Sequence, residues 1–145
     1  MSKQKQNPVV DHPLEQLTAE EIEAAVEIFE ANSELGDDVQ YHNVMLNEPP
    51  KSAVKAFEPG DSFDREVDIV AREDRETYEA TVSLTEGELE SCEHIPDVEP
   101  GLLPEEIEGA QEAVKNDPEW REAAKKRVVE DFDLVMVDPW AASGF

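Results

Sequence analysis

The sequence predicts an α+β fold in which one helix lies across an antiparallel meander and a second, incomplete α+β domain follows. Three observations predict it. A single helical apolar stripe fills the early part of the chain, and strand-like runs with polar turns come next. A Pro- and Gly-rich stretch then separates these from further helical pattern that ends in one strand-like segment. With 145 residues the chain is long enough for one average domain or two small ones.

Residues 1–13 are polar, hold Pro8 and Pro13, and read as a flexible arm. At Thr18 the pattern changes. Thr18 with Glu21 three residues on forms a capping box, which satisfies amide donors at a helix start. Ile22, Ala25, Val26 and Phe29 recur at i, i+3, i+4 and i+7 as one apolar stripe, and Gly36 is expected to end the helix in a left-handed conformation.

Strands come next. The run "VQYHNVML" (39–46) is rich in strand formers and stops at Glu48-Pro49-Pro50. In "REVDIVAR" (65–72), Val67, Ile69 and Ala71 alternate with polar residues, and in "TYEATVSL" (77–84), Tyr78, Ala80, Val82 and Leu84 do the same. Strict period-two alternation means one buried face and one wet face. Glu73 to Glu76 and Thr85-Glu86-Gly87 are the turns, the second leading to "ELESCEHI" (88–95). Helix and meander together span 14–95.

Pro96 to Leu103 reads as a linker. Beyond it Pro104 suits a first helical position, with Glu105, Glu106 and Glu108 near the positive end of the helix dipole. Ile107, Ala110 and Val114 form the apolar face. Asp117-Pro118 restarts a short helix carrying Trp120, Ala123 and Ala124, with Lys125, Lys126 and Arg127 at its negative end. Asp133 to Val137 reads as a strand and Asp138-Pro139-Trp140 as the turn leaving it. Two helices and one strand cannot bury a sheet face alone, so residues 104–145 read as the first part of a domain.

Lys and Arg number 12 against 37 Asp and Glu, a formal charge of 12 − 37 = −25. Phosphate binding is driven by Lys and Arg displacing counterions, so this balance argues against nucleic acid and anionic membranes as partners. The hydrophobic share is 39% and arranged periodically, which favours a folded chain over an acidic disordered tail. The acids are spread along the chain, as in a halophile's solvated skin, where molar salt screens self-repulsion within about 3 Å. Cys92 is the single cysteine, so no internal disulfide is possible. Without a leader-like or membrane-spanning apolar run, the chain reads as soluble and cytoplasmic.

Chemistry is sparse. His12, His42 and His94 are far apart and in no ligand spacing, so no metal site is expected, and surface or strand-face positions suit them. Cys92 lacks the context of a nucleophile and reads as a half-buried structural thiol. The carboxylate clusters Glu20-Glu21-Glu23, Asp37-Asp38 and Glu105-Glu106-Glu108 do not fit a calcium loop. Phosphate loops, nucleophile elbows and zincin motifs are absent, so no catalytic residue is assigned.

Four stretches in order, "HPLEQLTAEEIEAAVEIF" (12–29), "TYEATVSLTEGELESCEHI" (77–95), "NDPEWREAAKKR" (116–127) and "DFDLVMVDPWAASGF" (131–145), resemble the N-terminal region of copper amine oxidases. The resemblance implies that 14–95 is an N2-like, cystatin-like α+β domain. Residues 104–145 would be the first part of an N3-like domain whose remaining strands follow Phe145. Members of that family oxidise primary amines to aldehydes, releasing ammonia and hydrogen peroxide. They use topaquinone made from a tyrosine in an N-Y-[DE] motif, an aspartate base, and copper on three histidines. None of this transfers here. Tyr41 stands in Gln40-Tyr41-His42 and Tyr78 in Thr77-Tyr78-Glu79, no H-x-H pair exists, and the chain alone is expected to be inactive.

One local role is implied by the resemblance. Trp140 and Ile107 correspond to apolar positions that help line the amine channel; the alternative for Trp140 is simple packing under the Pro139 turn. Exposed in this chain, it would form part of an apolar patch prone to association. The resemblance also implies the parent's catalytic domain or a second copy as partner, and a homodimer for the full-length enzyme. Two functions of different kind stand open: a non-catalytic scaffold and channel-wall portion of a primary-amine oxidase, or a free-standing acidic interaction module using an uncovered strand edge. A nucleic-acid mimic rests on charge alone.

Overall fold

The computed structural model describes residues 10–140, which divide into two compact units with the boundary between Pro100 and Gly101. In the first unit, α1 (Ala19–Asn32) is followed by β1 (Gln40–Asn47), α2 (Lys51–Ala56), β2 (Glu66–Glu73), β3 (Glu76–Ser83) and β4 (Glu88–Ile95). The four strands pair antiparallel in the order β1-β2-β3-β4, a meander covered on one face by α1. The α+β arrangement expected from the periodicities is therefore the observed one.

Thr18 caps α1 as expected: the Glu21 amide donates to Thr18 Oγ1 at 3.2 Å and the Thr18 amide to Glu21 Oε2 at 2.9 Å. The buried face differs from the expected stripe. Ala25 and Phe29 are fully buried, but Ile22 is exposed and the third buried position is Glu21. The helix also ends earlier than Gly36. Asn32 donates its side-chain amide to the Ile28 carbonyl at 2.7 Å, and extended Ser33 donates its amide to Phe29. Those bonds satisfy the last-turn carbonyls. Gly36 serves close approach instead, its amide 2.6 Å from Glu73 Oε1. A Cβ at Gly36 would stand 2.9 Å from that oxygen.

The core consists of Ala25 and Phe29 from α1 and Val67, Ile69, Ala71, Ala80 and Val82 from β2 and β3; of the other alternating residues selected in 77–84, Tyr78 and Leu84 are half-buried. Two register irregularities complete it. Between Tyr41 and Asn43 the pairing shifts, leaving His42 as an extra residue in β1. Tyr41 opposite Ala71 and Val44 opposite Ile69 thereby share the helix-covered face, which period-two spacing alone would forbid. A second shift between Thr81 and Val82 leaves Glu90 as an extra residue in β4 and sets Leu89, which packs on the core, opposite Val82. The β2–β3 hairpin turns through Asp74 and Arg75, both at positive φ (51° and 69°), as a two-residue turn requires.

The arm expected to be loose is held from Val10 onward: Val10 and Pro13 are buried, while residues 1–9 lie outside the described residues. The short α2 was not expected. Its six residues, Lys51 to Ala56, are too few to show an apolar period.

The second unit contains α3 (Pro104–Asn116) and α4 (Pro118–Lys125). Glu106 Oε2 accepts the Leu103 amide at 2.8 Å, and Asp117 both ends α3 and caps α4 by accepting the Trp120 amide at 2.6 Å. Phe132 is anchored by Trp120, edge to face at 5.6 Å, and by the Arg121 guanidinium 5.2 Å from its ring centre. The strand expected over Asp133 to Val137 does not form. Strand hydrogen bonds need a neighbour, and none of the four strands pairs with this segment.

Candidate functional site

Arg65, at the entrance to β2, is the largest fully buried side chain among the described residues, with 2% of its surface exposed. Its Nε lies 2.8 Å from Glu21 Oε1, and its terminal nitrogens donate to Glu21 Oε2 (3.1 Å), the Gln16 carbonyl (3.0 Å) and the Pro13 carbonyl (3.3 Å). One guanidinium thus ties together the arm, the first turn of α1 and the sheet. Burial alone would raise the Glu21 pKa, but the Arg65 hydrogen bond, the Thr18 amide and the Arg65 charge outweigh it, and the carboxyl is held below its usual value. Sequence reading found the Thr18–Glu21 box but not its partner 44 residues downstream, because ion pairs leave no periodic trace.

Beside this clamp opens a cleft of about 690 Å³ bounded by Pro13, the Glu48-Pro49-Pro50 turn, α2 with Phe57, and residues 61–64. Glu58-Pro59-Gly60-Asp61 shapes one wall. Gly60 at φ 100° and the Asp61 amide donating to the Glu58 carbonyl at 3.0 Å make a turn with proline second and glycine third. His12, Phe57 and Phe63 stack edge to face in succession, with centroids 5.2 and 5.7 Å apart. The Pro-Gly turn was the available signal for this feature.

The histidines do not assemble. His12 packs on Phe57, His42 sits in the β1 bulge, and His94 on β4, at the opposite sheet edge, meets Glu76 Oε2. Among the described residues no three His, Cys, Asp or Glu side chains come together as a metal cage. The donors present therefore do not fit a three-histidine copper centre. Nor does either tyrosine match a quinone precursor: Tyr41 donates to Glu30 Oε1 at 3.0 Å, and Tyr78 leans on His94 at 5.4 Å. Burial, then the hydrogen bond and charge of Glu30, push the Tyr41 pKa up to about 12. Cys92, expected half-buried, is exposed on the edge strand; partial desolvation still raises its thiol pKa.

Ile107 is half-buried on α3. Trp140 is 82% exposed, its indole N–H donating to Asp138 Oδ2 at 2.9 Å, and Leu134 and Met136 are equally bare. No helix among the described residues is long and apolar enough to cross a membrane.

The profile of the AGAO-like N2 domain matches residues 18–92, which run from the α1 cap to β4. The chain is 31% identical over 139 residues to a primary amine oxidase of Arthrobacter sp. strain P1, covering 94% of this chain and 21% of that protein. It is 30% identical to the copper-containing peroxisomal diamine oxidase 1 of Nicotiana tabacum (89% and 21% covered) and to a primary amine oxidase of Klebsiella aerogenes (92% and 18%). The chain thus spans about a fifth of the length of these curated relatives. In structure it is similar to a copper-containing benzylamine oxidase from Hansenula polymorpha, with a TM-score of 0.67 at 17% identity, over 81% of this chain and 20% of that one.

Proposed function

The chain belongs to the AGAO-like N2 domain family, the N-terminal region of copper amine oxidases, and from that premise we propose that it is a non-catalytic scaffold portion of a copper- and topaquinone-dependent primary-amine oxidase. In the parent reaction a primary amine, dioxygen and water give an aldehyde, ammonia and hydrogen peroxide. This chain's part is to present a folded N2 unit and, through 131–140, an apolar segment that the catalytic domain covers.

The observation that carries the reading is the segment after Phe132. Leu134, Met136 and Trp140 are each more than 80% exposed, Leu134 in a turn that the Val135 amide closes on the Phe132 carbonyl at 3.2 Å. Large apolar side chains bared this closely together form a patch that suits a covering surface. Trp140, and with it Ile107, then forms part of the wall along which amines travel. The free-standing module draws less support, since the open β4 edge carries Glu88, Glu90 and Glu93, charges that discourage strand addition.

Hydrogen exchange of the 145-residue chain in molar salt tests this. Strong protection of β2 and β3 with fast exchange at 133–140 is expected; slow exchange at 133–140 would mean the segment has found a partner in a second copy, and the module would replace the scaffold. Copper and methylamine added to the chain are expected to yield no hydrogen peroxide above a protein-free blank. Sustained turnover would overturn a non-catalytic assignment.

A further inference from the structure

The two edges of the meander differ in charge. β2, β3 and β4 each carry two or more carboxylates, and the β4 edge is lined by Glu88, Glu90 and Glu93. β1, at the other edge, carries none. It lies within 39–47, nine residues without Asp, Glu, Lys or Arg and the longest such run in a chain of net charge −25. Edge strands are ordinarily kept from pairing by charge, proline or a bulge. In β1 the bulge protects only the stretch around His42. From Asn43 to Asn47 the ladder on β2 is regular, and none of the described strands pairs with the outer side. Nor does α1 guard this edge, since the helix lies chiefly over β3 and β4.

The same stretch is self-complementary. Read in either direction, Asn43-Val44-Met45-Leu46-Asn47 gives one order of chemistry: amide, aliphatic, thioether, aliphatic, amide. Antiparallel pairing of identical strands about a two-fold axis sets residue i against j and j against i, so it favours such a sequence. With Met45 on the axis, Met45 faces Met45, Asn43 faces Asn47 and Val44 faces Leu46. Opposite side chains are the unit of sheet stabilisation, and here each meets its own kind. Asn43, Met45 and Asn47 share the open face, while Val44 and Leu46 share the helix-covered one, opposite the core residues Ile69 and Val67 of β2. Met45 is 51% exposed, the one large apolar side chain left bare within the four described strands. An unrelated extended peptide would require no such symmetry of β1.

We propose that β1 is a self-association edge: two copies of this chain pair antiparallel along 43–47 about a two-fold axis at Met45, joining their four-stranded meanders into one continuous sheet. The bulge at His42 stops the ladder on one side and Glu48-Pro49-Pro50 stops it on the other, because proline has no amide to donate. So short a contact makes a weak dimer. Charge sets its condition. Two chains of −25 repel each other in dilute buffer and meet in molar salt, where screening acts within about 3 Å, and β1 lets them meet without opposing carboxylates. The inference goes beyond the scaffold reading and does not depend on it, since the edge lies wholly within the first unit.

Sedimentation equilibrium of the full chain, at tens to hundreds of micromolar in about 2 M potassium chloride, tests this. A monomer–dimer equilibrium is expected, with amide exchange at 43–47 slowing as protein concentration rises. Met45→Lys sets two like charges opposite each other on the axis and should weaken the dimer by about tenfold or more. The same variant makes the chain less negative, so general repulsion between copies would predict the opposite change. Asn43 is exposed, and Asn43→Lys repeats the test should Met45→Lys disturb the fold. Met136→Lys, on the bare segment of the second unit, should leave association unchanged, which keeps this result separate from the fate of 133–140. A chain that stays monomeric throughout in molar salt would overturn the proposal. So would a dimer that Met45→Lys and Asn43→Lys both leave intact, or one that Met136→Lys alone abolishes.

Discussion

Glu21 and Arg65 show how much one side chain can decide. The pair is buried, and such pairs contribute little over an apolar substitute, yet removing one member strands the other charge away from water. Arg65→Ala is therefore expected to lower stability by about 3–5 kcal/mol in chemical denaturation, and to loosen 10–17 as read by proteolysis. The pH response follows from the depressed Glu21 pKa. A carboxyl whose folded pKa lies below its unfolded value stabilises the fold above the unfolded pKa and loses that contribution as pH falls through the folded one. Glu66 has the opposite sign: with its pKa raised, the stability it contributes is present at low pH and lost as pH rises through its folded value. Glu21→Gln should flatten the acid limb of a stability–pH profile, whereas Glu66→Gln should stabilise slightly near neutrality. Tyr41 offers a spectroscopic check. Its phenol should titrate near pH 12 by ultraviolet absorbance, and Glu30→Gln should bring that titration down.

Among the elements, those with long, clean periods were legible and those decided by a single contact were not. β2 buries Val67, Ile69 and Ala71 as its alternation selects, whereas β3 buries Ala80 and Val82 but leaves Tyr78, and Leu84 just beyond it, half-buried and also buries Thr77 and Ser83 of the face expected to be wet. The α1 stripe pointed to Ile22, but the helix is turned so that Glu21 faces inward, because Arg65 rewards a carboxylate there. Bulges at His42 and Glu90 were invisible, as one extra residue leaves composition unchanged while moving every later side chain to the other face. The end of α4 carries a local conflict. Val128 adopts φ 62°, and the Val129 amide donates to the Ala124 carbonyl at 3.2 Å, a left-handed helix stop occupied by a β-branched residue. Val128→Gly should stabilise the second unit by about 1 kcal/mol, seen as slower amide exchange in α4. Unchanged or faster exchange would refute the strain.

For the molecule as a whole, charge dominates. A formal −25 on 145 residues repels itself in dilute buffer, so the melting temperature should climb by roughly ten degrees or more between about 0.1 and 2 M potassium chloride. An identical cooperative melt at both concentrations would remove the support for a halophilic origin. What the sequence determined by itself is what local chemistry encodes: the capped helix, the alternating central strands, the helix starts at Pro104 and Pro118, and the family to which their order belongs. Only the tertiary structure decided which face of α1 is buried, where the strands bulge, that 133–137 stays unpaired, and that an acidic cleft opens beside a guanidinium committed elsewhere. The physical reason is range. Periodicity and capping are written in neighbours three or four residues apart, whereas Arg65 meets Glu21 across 44 residues and a strand needs a partner that its own sequence cannot name.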